Sequence, residues 1–411
     1  MNIPDNSFST PGSRMNPLVL THVSLVNALG PGIRATLEAL QKTRGGLVRC
    51  AFHSSELDTW VGQVPGVDEI RLPSFLSDHE CRNNRLALLG IEQDGFADAV
   101  KSAKKRYGRN RIGLFLGTST SGLEETEWAY RHRDPDSGAL PVGYCYRGTQ
   151  NTYSLGSFVQ KVLDLDGPTV VVSSSCASTA KVFAEASRMI ESGLCDAAVV
   201  GGADSLCLTT LYGFQSLGLL SKSPCRPFDE NRDGISIGEG SGFALLEKSV
   251  ADSDPSDIRL VGVGESSDAY HMSSPHPDGL GAVMAMRRAL ESAGLAACDV
   301  DYVHLHGTAT KANDSSEDKA VVVIFGKGKP CSSTKGWTGH GLGISGIMNA
   351  IVAMLCIQYH FMPGSLNTSR LDPSLQSGYL METREDSVNR VMSNSFGFGG
   401  CNCSLILGRT I

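Results

Sequence analysis

The chain holds twelve cysteines but no C-x-x-C pair. That absence removes zinc ribbons and thioredoxin-like redox sites, which need that spacing. Cys195, Cys207 and Cys225 stand alone, and only Cys401 and Cys403 lie close together. With no signal peptide ahead of them, they read as reduced thiols of a cytoplasmic protein. Excess positive charge is also missing: 36 Lys and Arg against 43 Asp and Glu leave a net charge of −7. A nucleic-acid protein, which needs a clustered basic surface, is therefore disfavoured. No apolar run reads as the ~20 residues of a membrane span. Residues 1–16, "MNIPDNSFSTPGSRMN", lack the apolar stretch of a signal peptide and read as a disordered leader. There is no G-x-S-x-G elbow and no Walker A loop. "GLGISG" at 341–346 matches G-x-G-x-x-G, yet no acidic residue follows about 20 positions on, where a dinucleotide site needs one.

What is present is the punctuation of an α/β protein. The 411 residues exceed one ordinary core, so two domains or two fused halves are expected. The 46 glycines fall at the ends of apolar strands and before helices. "PLVLTHVSLVNALG" reads as a first strand, "RIGLFLGTST" as a buried strand with a small-residue turn, and "KVFAEASRMIESGLCDAAVVGGAD" as helix, Gly193 stop and strand. "SVADSDPSDI", about 249–258, is polar and linker-like. After it the grammar restarts: "IRLVGVGESSD" a strand, "VMAMRRALESAGL" a helix, "VDYVHLHGTAT" a strand ending at a histidine. The order of elements, without an exact sequence repeat, predicts an N-terminal half over 17–250 and a C-terminal half over 258–411, packed face to face.

Chemistry concentrates at the strand-to-helix junctions. "VVVSSSCASTAKVF" places Cys176 before a helix whose free N–H groups favour a thiolate. That pattern alone leaves packing and nucleophile both open. The three serines read as backbone partners in the turn. His306 in "HLHGTAT" and His340 in "KGWTGHGLG" sit in small-residue turns where imidazole N–H groups can meet an oxyanion. His304 and His306 share one strand face as a conceivable metal pair, but no third ligand is spaced for it, and no metal site is assigned. Lys335 and Glu317 read either as solvated turn residues or as a buried pair that sets the electrostatics of the histidines.

Five ordered stretches, "SSSCAST", "RPFDENRDGISIGEGSG", "HGTATKANDSSE", "STKGWTGHGLGISG" and "SNSFGFGGCN", together resemble the β-ketoacyl-[acyl carrier protein] synthases of the elongating, Cys-His-His type. The resemblance spans about residues 17 to 409. It implies a thiolase-like fold, two duplicated α/β halves in five α-β-α-β-α layers, and a homodimer or a heterodimer with a non-catalytic chain-length-type paralogue. It implies acylation of Cys176 from the phosphopantetheine arm of acyl carrier protein, then decarboxylative condensation with malonyl-carrier. No cofactor is implied beyond that arm. By the same match His306 and His340 stabilise the enolate, the N–H groups of Cys176 and Phe398 form the oxyanion hole, and Lys335 and Glu317 support them. Thr308 and Thr310 hold the arm, Phe396 contacts substrate, and Phe398 gates the site. Lys222 and Arg226 are the basic carrier contacts expected. An intact Cys176 sets the chain apart from silent chain-length partners, and His340 from chain-starting synthases, which carry Asn there. Lys311 replaces a frequent proline and Cys401 a usual threonine, departures that look like specialised aryl polyene or polyketide-like pathways. A Cys/His hydrolase is the unrelated alternative.

Overall fold

Two segments of the chain build the same series of elements in turn. The first holds strands β1 (Leu18–Asn27), β2 (Ile112–Gly117), β3 (Thr169–Val172), β4 (Ala197–Asp204) and β5 (Gly240–Lys248). The helices that pack on its sheet include α1 (Arg82–Ile91), α2 (Phe96–Tyr107), α3 (Tyr153–Leu163) and α4 (Ser178–Glu191). The second holds β6 (Arg259–Ser267), α5 (Leu280–Ala293), β7 (Tyr302–His304), α6 (Lys311–Phe325), β8 (Pro330–Ser332), α7 (Ser345–Tyr359), β9 (Arg390–Gly397) and β10 (Cys401–Gly408). The strand orders, β1-β5-β4-β2-β3 and β6-β10-β9-β7-β8, are the same pattern twice. Antiparallel pairing of β1 with β6, Leu18 opposite Leu260, joins the two at their edges into one 12-stranded sheet. The computed structural model describes residues 14–248, 254 and 256–409.

The local sequence explains each layer. In "IGLFLG" of β2 every residue is buried, as a parallel strand covered on both faces requires. Helices α1, α2 and α3 cover the outer face of the first sheet, and α5 and α6 that of the second. Between the sheets lie α4 and α7, giving the α-β-α-β-α order. α7 is apolar on all sides because it touches protein on all sides. Gly346 lets α7 approach α4: a Cβ there would stand 2.2 Å from the Ala180 nitrogen. Gly346 of "GLGISG" thus serves helix packing, and Gly343 a close approach to Asp204 and Ser119. Gly193 ends α4 as expected, with its own N–H on Ile190 and the Leu194 N–H on Met189. Phe183 is fully buried in the central core, where truncation to Ala costs about 3–5 kcal/mol.

Two expectations need correction. Leu342–Tyr359 is an 18-residue helical run of mean hydropathy 1.7, long and apolar enough to span a bilayer, which the sequence reading passed over. Its 89% burial in the central layer accounts for that composition. Residues 1–13 of the expected leader lie outside the described residues, as do 249–253 and 255 of the linker-like stretch. Met15, however, already donates its N–H to the Ser292 carbonyl of α5 at 2.8 Å, ahead of the expected boundary at 17.

Candidate active site

β3 ends at Val172 and α4 begins at Ser178, so the chain must reverse through residues 173–177. Ser175 takes a left-handed φ of 50°, a cost accepted only where the surroundings impose it, and this turns Cys176 inward. The hydroxyl bracing the turn belongs to Ser178, which accepts from the Ser174 N–H at 2.9 Å and donates to the Ser175 carbonyl at 2.6 Å. Ser174 and Ser175 serve through their backbone groups. The N–H groups of Cys176 and Phe398 both point at the Cys176 sulfur and favour a thiolate. Burial outweighs them, with Lys335 lowering and Asp204 raising the value, and pushes the thiol up to about 12. The N–H donors do favour the thiolate, as the sequence suggests, but burial sets the net direction, and the resting group is a thiol.

His340 faces it across the two halves, Nε2 standing 3.1 Å from Sγ. The Leu342 N–H and the Ser345 hydroxyl approach Nδ1 at 3.3 and 2.8 Å, so Nδ1 accepts and Nε2 carries the proton toward the sulfur. The first half anchors this histidine: its N–H donates to the Ser236 carbonyl and its carbonyl accepts from Gly238, both in "GISIGEGSG". His306 meets His340 edge-on at 5.2 Å between ring centres and packs on Phe396 at 6.0 Å. Burial first, then Lys335, holds both histidines well below the usual imidazole value, so both are neutral; His340 adds to this for His306. His306 keeps Nδ1 without a hydrogen-bond partner among the described residues. The cysteine sulfur and one nitrogen from each imidazole lie within 4.8 Å of one another. His304 is not part of this group: it turns to the Thr334 hydroxyl at 3.2 Å, because β7 ends there and His306 lies beyond the strand.

Lys335 and Glu317 come together, though not as a direct ion pair. Lys335 Nζ donates to the His306 carbonyl. The Glu317 carboxylate accepts the N–H groups of His306 and Gly307, each at 2.8 Å, and the Asn394 amide at 3.2 Å. The two charges thus grip opposite sides of one backbone turn. Burial lowers the Lys335 ammonium to about 8 and raises Glu317 to about 7.

Cys176, His306, His340, Thr308, Thr310, Phe396 and Phe398 line one cavity of about 770 Å³. The Thr308 and Thr310 hydroxyls lie 3.0 Å apart on its wall, and Phe398 packs on Phe214 at 5.6 Å. Lys222 is exposed, whereas Arg226 is half-buried and paired with Asp233. Sequence reasoning missed Ser345, which lies only five residues from its partner His340, and also Asn394 and the fully buried Asp204, whose partners come from distant segments; for Asp204 the one local signal was an acid closing an otherwise apolar strand.

The fold and this constellation define a thiolase-like condensing acyltransferase. Residues 88–251 match the model of the β-ketoacyl synthase N-terminal domain and residues 258–369 that of the C-terminal domain. The chain belongs to the β-ketoacyl synthase family. It is 32% identical over 409 residues to 3-oxoacyl-[acyl-carrier-protein] synthase 2 of Staphylococcus aureus (strain MRSA252), covering 95% of this chain and 97% of that protein. The same-named Vibrio cholerae protein is 29% identical over 416 residues, covering 95% and 99%. Among solved structures, a chain of the ketosynthase (ApeO) in complex with its chain length factor (ApeC) from Xenorhabdus doucetiae is similar at 37% identity. It has a TM-score of 0.86, over 96% of this chain and 98% of that one.

Proposed function

We propose that this chain condenses an acyl group held on Cys176 with malonyl-[acyl carrier protein], giving a 3-oxoacyl-carrier longer by two carbons. The observation that carries this reading is one cavity wall that joins a thiol, its own N–H donor pair and two neutral imidazoles. The Cys176 sulfur attacks the acyl thioester, and its proton ends on the departing pantetheine thiol. Malonyl-carrier then enters, its C–CO2 bond breaks, and the electron pair becomes an enolate. His306 and His340 donate N–H bonds to the enolate oxygen, each worth about 3–4 kcal/mol in a water-poor site. The enolate carbon attacks the Cys176 thioester; the N–H groups of Cys176 and Phe398 receive the oxyanion, and the thiolate leaves and regains a proton. Thr308 and Thr310 hydrogen-bond the arm, and Phe396 and Phe398 shape its end. The residues named need no resident cofactor for these steps.

The test is mass spectrometry of Cys176 with an acyl-carrier, then with malonyl-carrier added. The reading expects an acyl adduct that disappears as a longer carrier product and CO2 form, and no adduct on Cys176→Ala. Thioester hydrolysis without a new C–C bond would favour the hydrolase instead.

A second element of the proposal is pairing with a ketosynthase paralogue, of which this chain is the active member. The similar Xenorhabdus ketosynthase in complex with its chain length factor supports it, as does half-buried β3, which ends the sheet with one side unpaired among the described residues. Full activity of the chain purified as a homodimer would defeat it. Unpaired thiols throughout fit a cytoplasmic setting, and the departures at Lys311 and Cys401 fit polyketide-like lipid assembly.

A further inference from the structure

Cys176 and His340 come from different halves, so something must hold their separation constant. Among the described residues no backbone hydrogen bond links the two turns directly; a string of polar groups does. At its root is Asp204, at the end of β4 and fully buried, with no ion-pair partner among the described residues. Its carboxylate accepts the Thr118 hydroxyl at 2.8 Å, the Ser119 N–H at 2.7 Å, the Ser119 hydroxyl at 2.8 Å, the Thr120 N–H at 2.9 Å and the Thr120 hydroxyl at 2.8 Å. Having donated to Asp204, the Ser119 oxygen accepts the Gly343 N–H at 3.2 Å. Gly343 follows closely on His340, and its carbonyl takes the Thr179 hydroxyl at 2.6 Å. Thr179 follows closely on Cys176, and its oxygen accepts the Ile347 N–H of α7 at 3.0 Å. The string thus touches the chain just past the nucleophile and just past the histidine, and ends on a carboxyl whose pKa burial raises against the opposing pull of its Ser119 and Thr120 donors.

The packing agrees with the hydrogen bonds. A Cβ on Gly343 would stand 2.6 Å from Asp204 Oδ2 and 3.0 Å from the Ser119 nitrogen. A Cβ on Gly117 would stand 2.7 Å from the Thr179 nitrogen. Two glycines keep these backbones close enough for the string to close.

We propose that Asp204 and Ser119 are positioning residues of the condensation, a polar strut that sets the distance between the Cys176 sulfur and the His340 imidazole across the two halves. The proposal rests on the acyl-transfer reading above. Asp204 touches neither substrate nor sulfur; it acts through Ser119 and Gly343. It also exerts a through-space effect on Cys176, which is faced by His340, His306, Lys335 and Asp204: the aspartate disfavours the thiolate, and Lys335 favours it.

Three variants test this. Ser119→Ala cuts the strut but keeps the carboxyl, Asp204→Asn replaces the carboxyl with an amide, and Gly343→Ala wedges the contact. For Ser119→Ala and Gly343→Ala, kcat should fall roughly tenfold or more, as misplacement of reacting groups does, with KM for malonyl-carrier unchanged. Their pH profile of Cys176 alkylation by iodoacetamide should not move. For Asp204→Asn, kcat should fall as well, and the alkylation profile should shift to lower pH. Ser119→Ala and Gly343→Ala decide the matter if Asp204→Asn does not fold. Wild-type kcat in folded Ser119→Ala and Gly343→Ala would overturn the strut, as would an unmoved alkylation profile with normal kcat in folded Asp204→Asn. Absence of an acyl adduct on wild-type Cys176 would instead defeat the acyl-transfer reading and leave the geometric claim to the alkylation profiles.

Discussion

The loop that leaves β2 and the loop that leaves β7 occupy matching places in the two halves, and each is gripped by one buried carboxylate. Asp204 takes the N–H groups of Ser119 and Thr120; Glu317 takes those of His306 and Gly307. Ser119 stands where His306 stands. Around Asp204 the other donors are hydroxyls, whereas Glu317 shares its turn with Lys335 on the opposite side. The turns after β3 and β8 differ likewise: the short one presents a thiol, and the longer one has room for Lys335 and His340. Duplication supplied one frame twice. The first half uses it to present a thiol and the Asp204–Ser119 string, the second to present neutral imidazoles and the charged groups that hold them.

The division of labour is broken most severely by removing the imidazoles. His306→Ala and His340→Ala should each lower kcat for condensation by ~10²–10³, the usual cost of one oxyanion donor. They should differ in the first half-reaction. His340 Nε2 contacts Sγ and His306 does not, so His306→Ala should accumulate acyl-Cys176 while His340→Ala acylates slowly. Equal acylation of both variants, read by mass spectrometry, would blur the two roles.

A pH series sharpens the contrast between a resting thiol and resting imidazoles. Because the Cys176 thiol is raised to about 12, its thiolate fraction at neutral pH is small. Alkylation by iodoacetamide should rise about tenfold per pH unit from pH 7 to 10 without levelling. A plateau below pH 9 would mean that the two amide donors and the helix end win over burial.

Glu317→Gln tests whether the two carboxylates are interchangeable in kind. A glutamine offers one acceptor atom and turns an NH2 toward a backbone N–H that then lacks a partner, a cost of about 1–3 kcal/mol. Thermal unfolding should move down accordingly and kcat should drop several-fold, through the displaced His306. A Lys335→Met change on top of Glu317→Gln should be less damaging than the sum of the two, since Lys335 and Glu317 stabilise each other's charge.

The parts legible in the sequence were those encoded locally. Strand-to-helix junctions, the repeated order of elements and the Gly193 stop followed from spacing, and the family likeness supplied Cys176, His306 and His340. What escaped depended on burial or on contacts between distant segments. The thiol's net shift was missed because burial cannot be read from a helix start. Lys335 and Glu317 looked like a pair because their spacing gave no hint that the His306 backbone lies between them. Asp204 went unnoticed because its partners Thr118 to Thr120 and, through Ser119, Gly343 are remote in the chain. Even the apolar run at 342–359 was underrated, its glycines and Asn349 breaking the visual pattern of a span.

The smallest expected effect lies at the cavity mouth, where the two halves again diverge. α6 opens on the cavity through Lys311, whereas α3, its counterpart after β2, does not reach it. Lys311 is exposed and pairs with no acid among the described residues. Of the three acids on the cavity wall, Glu230 is paired with Arg370 and Asp233 with Arg226, while Asp268 accepts the His276 N–H and the Asn402 amide. The mouth therefore presents an uncommitted positive charge beside Thr308 and Thr310, where an arm bearing a phosphodiester would pass. An exposed pair of this kind contributes at most about 1 kcal/mol and is screened by salt. Lys311→Ala should raise KM for carrier-bound substrate a few-fold at low salt, with kcat unchanged, and the difference should vanish toward 0.5 M salt. A pantetheine thioester lacking the phosphate should not distinguish the variant from the wild type. If it does, Lys311 shapes the wall rather than reading the charge.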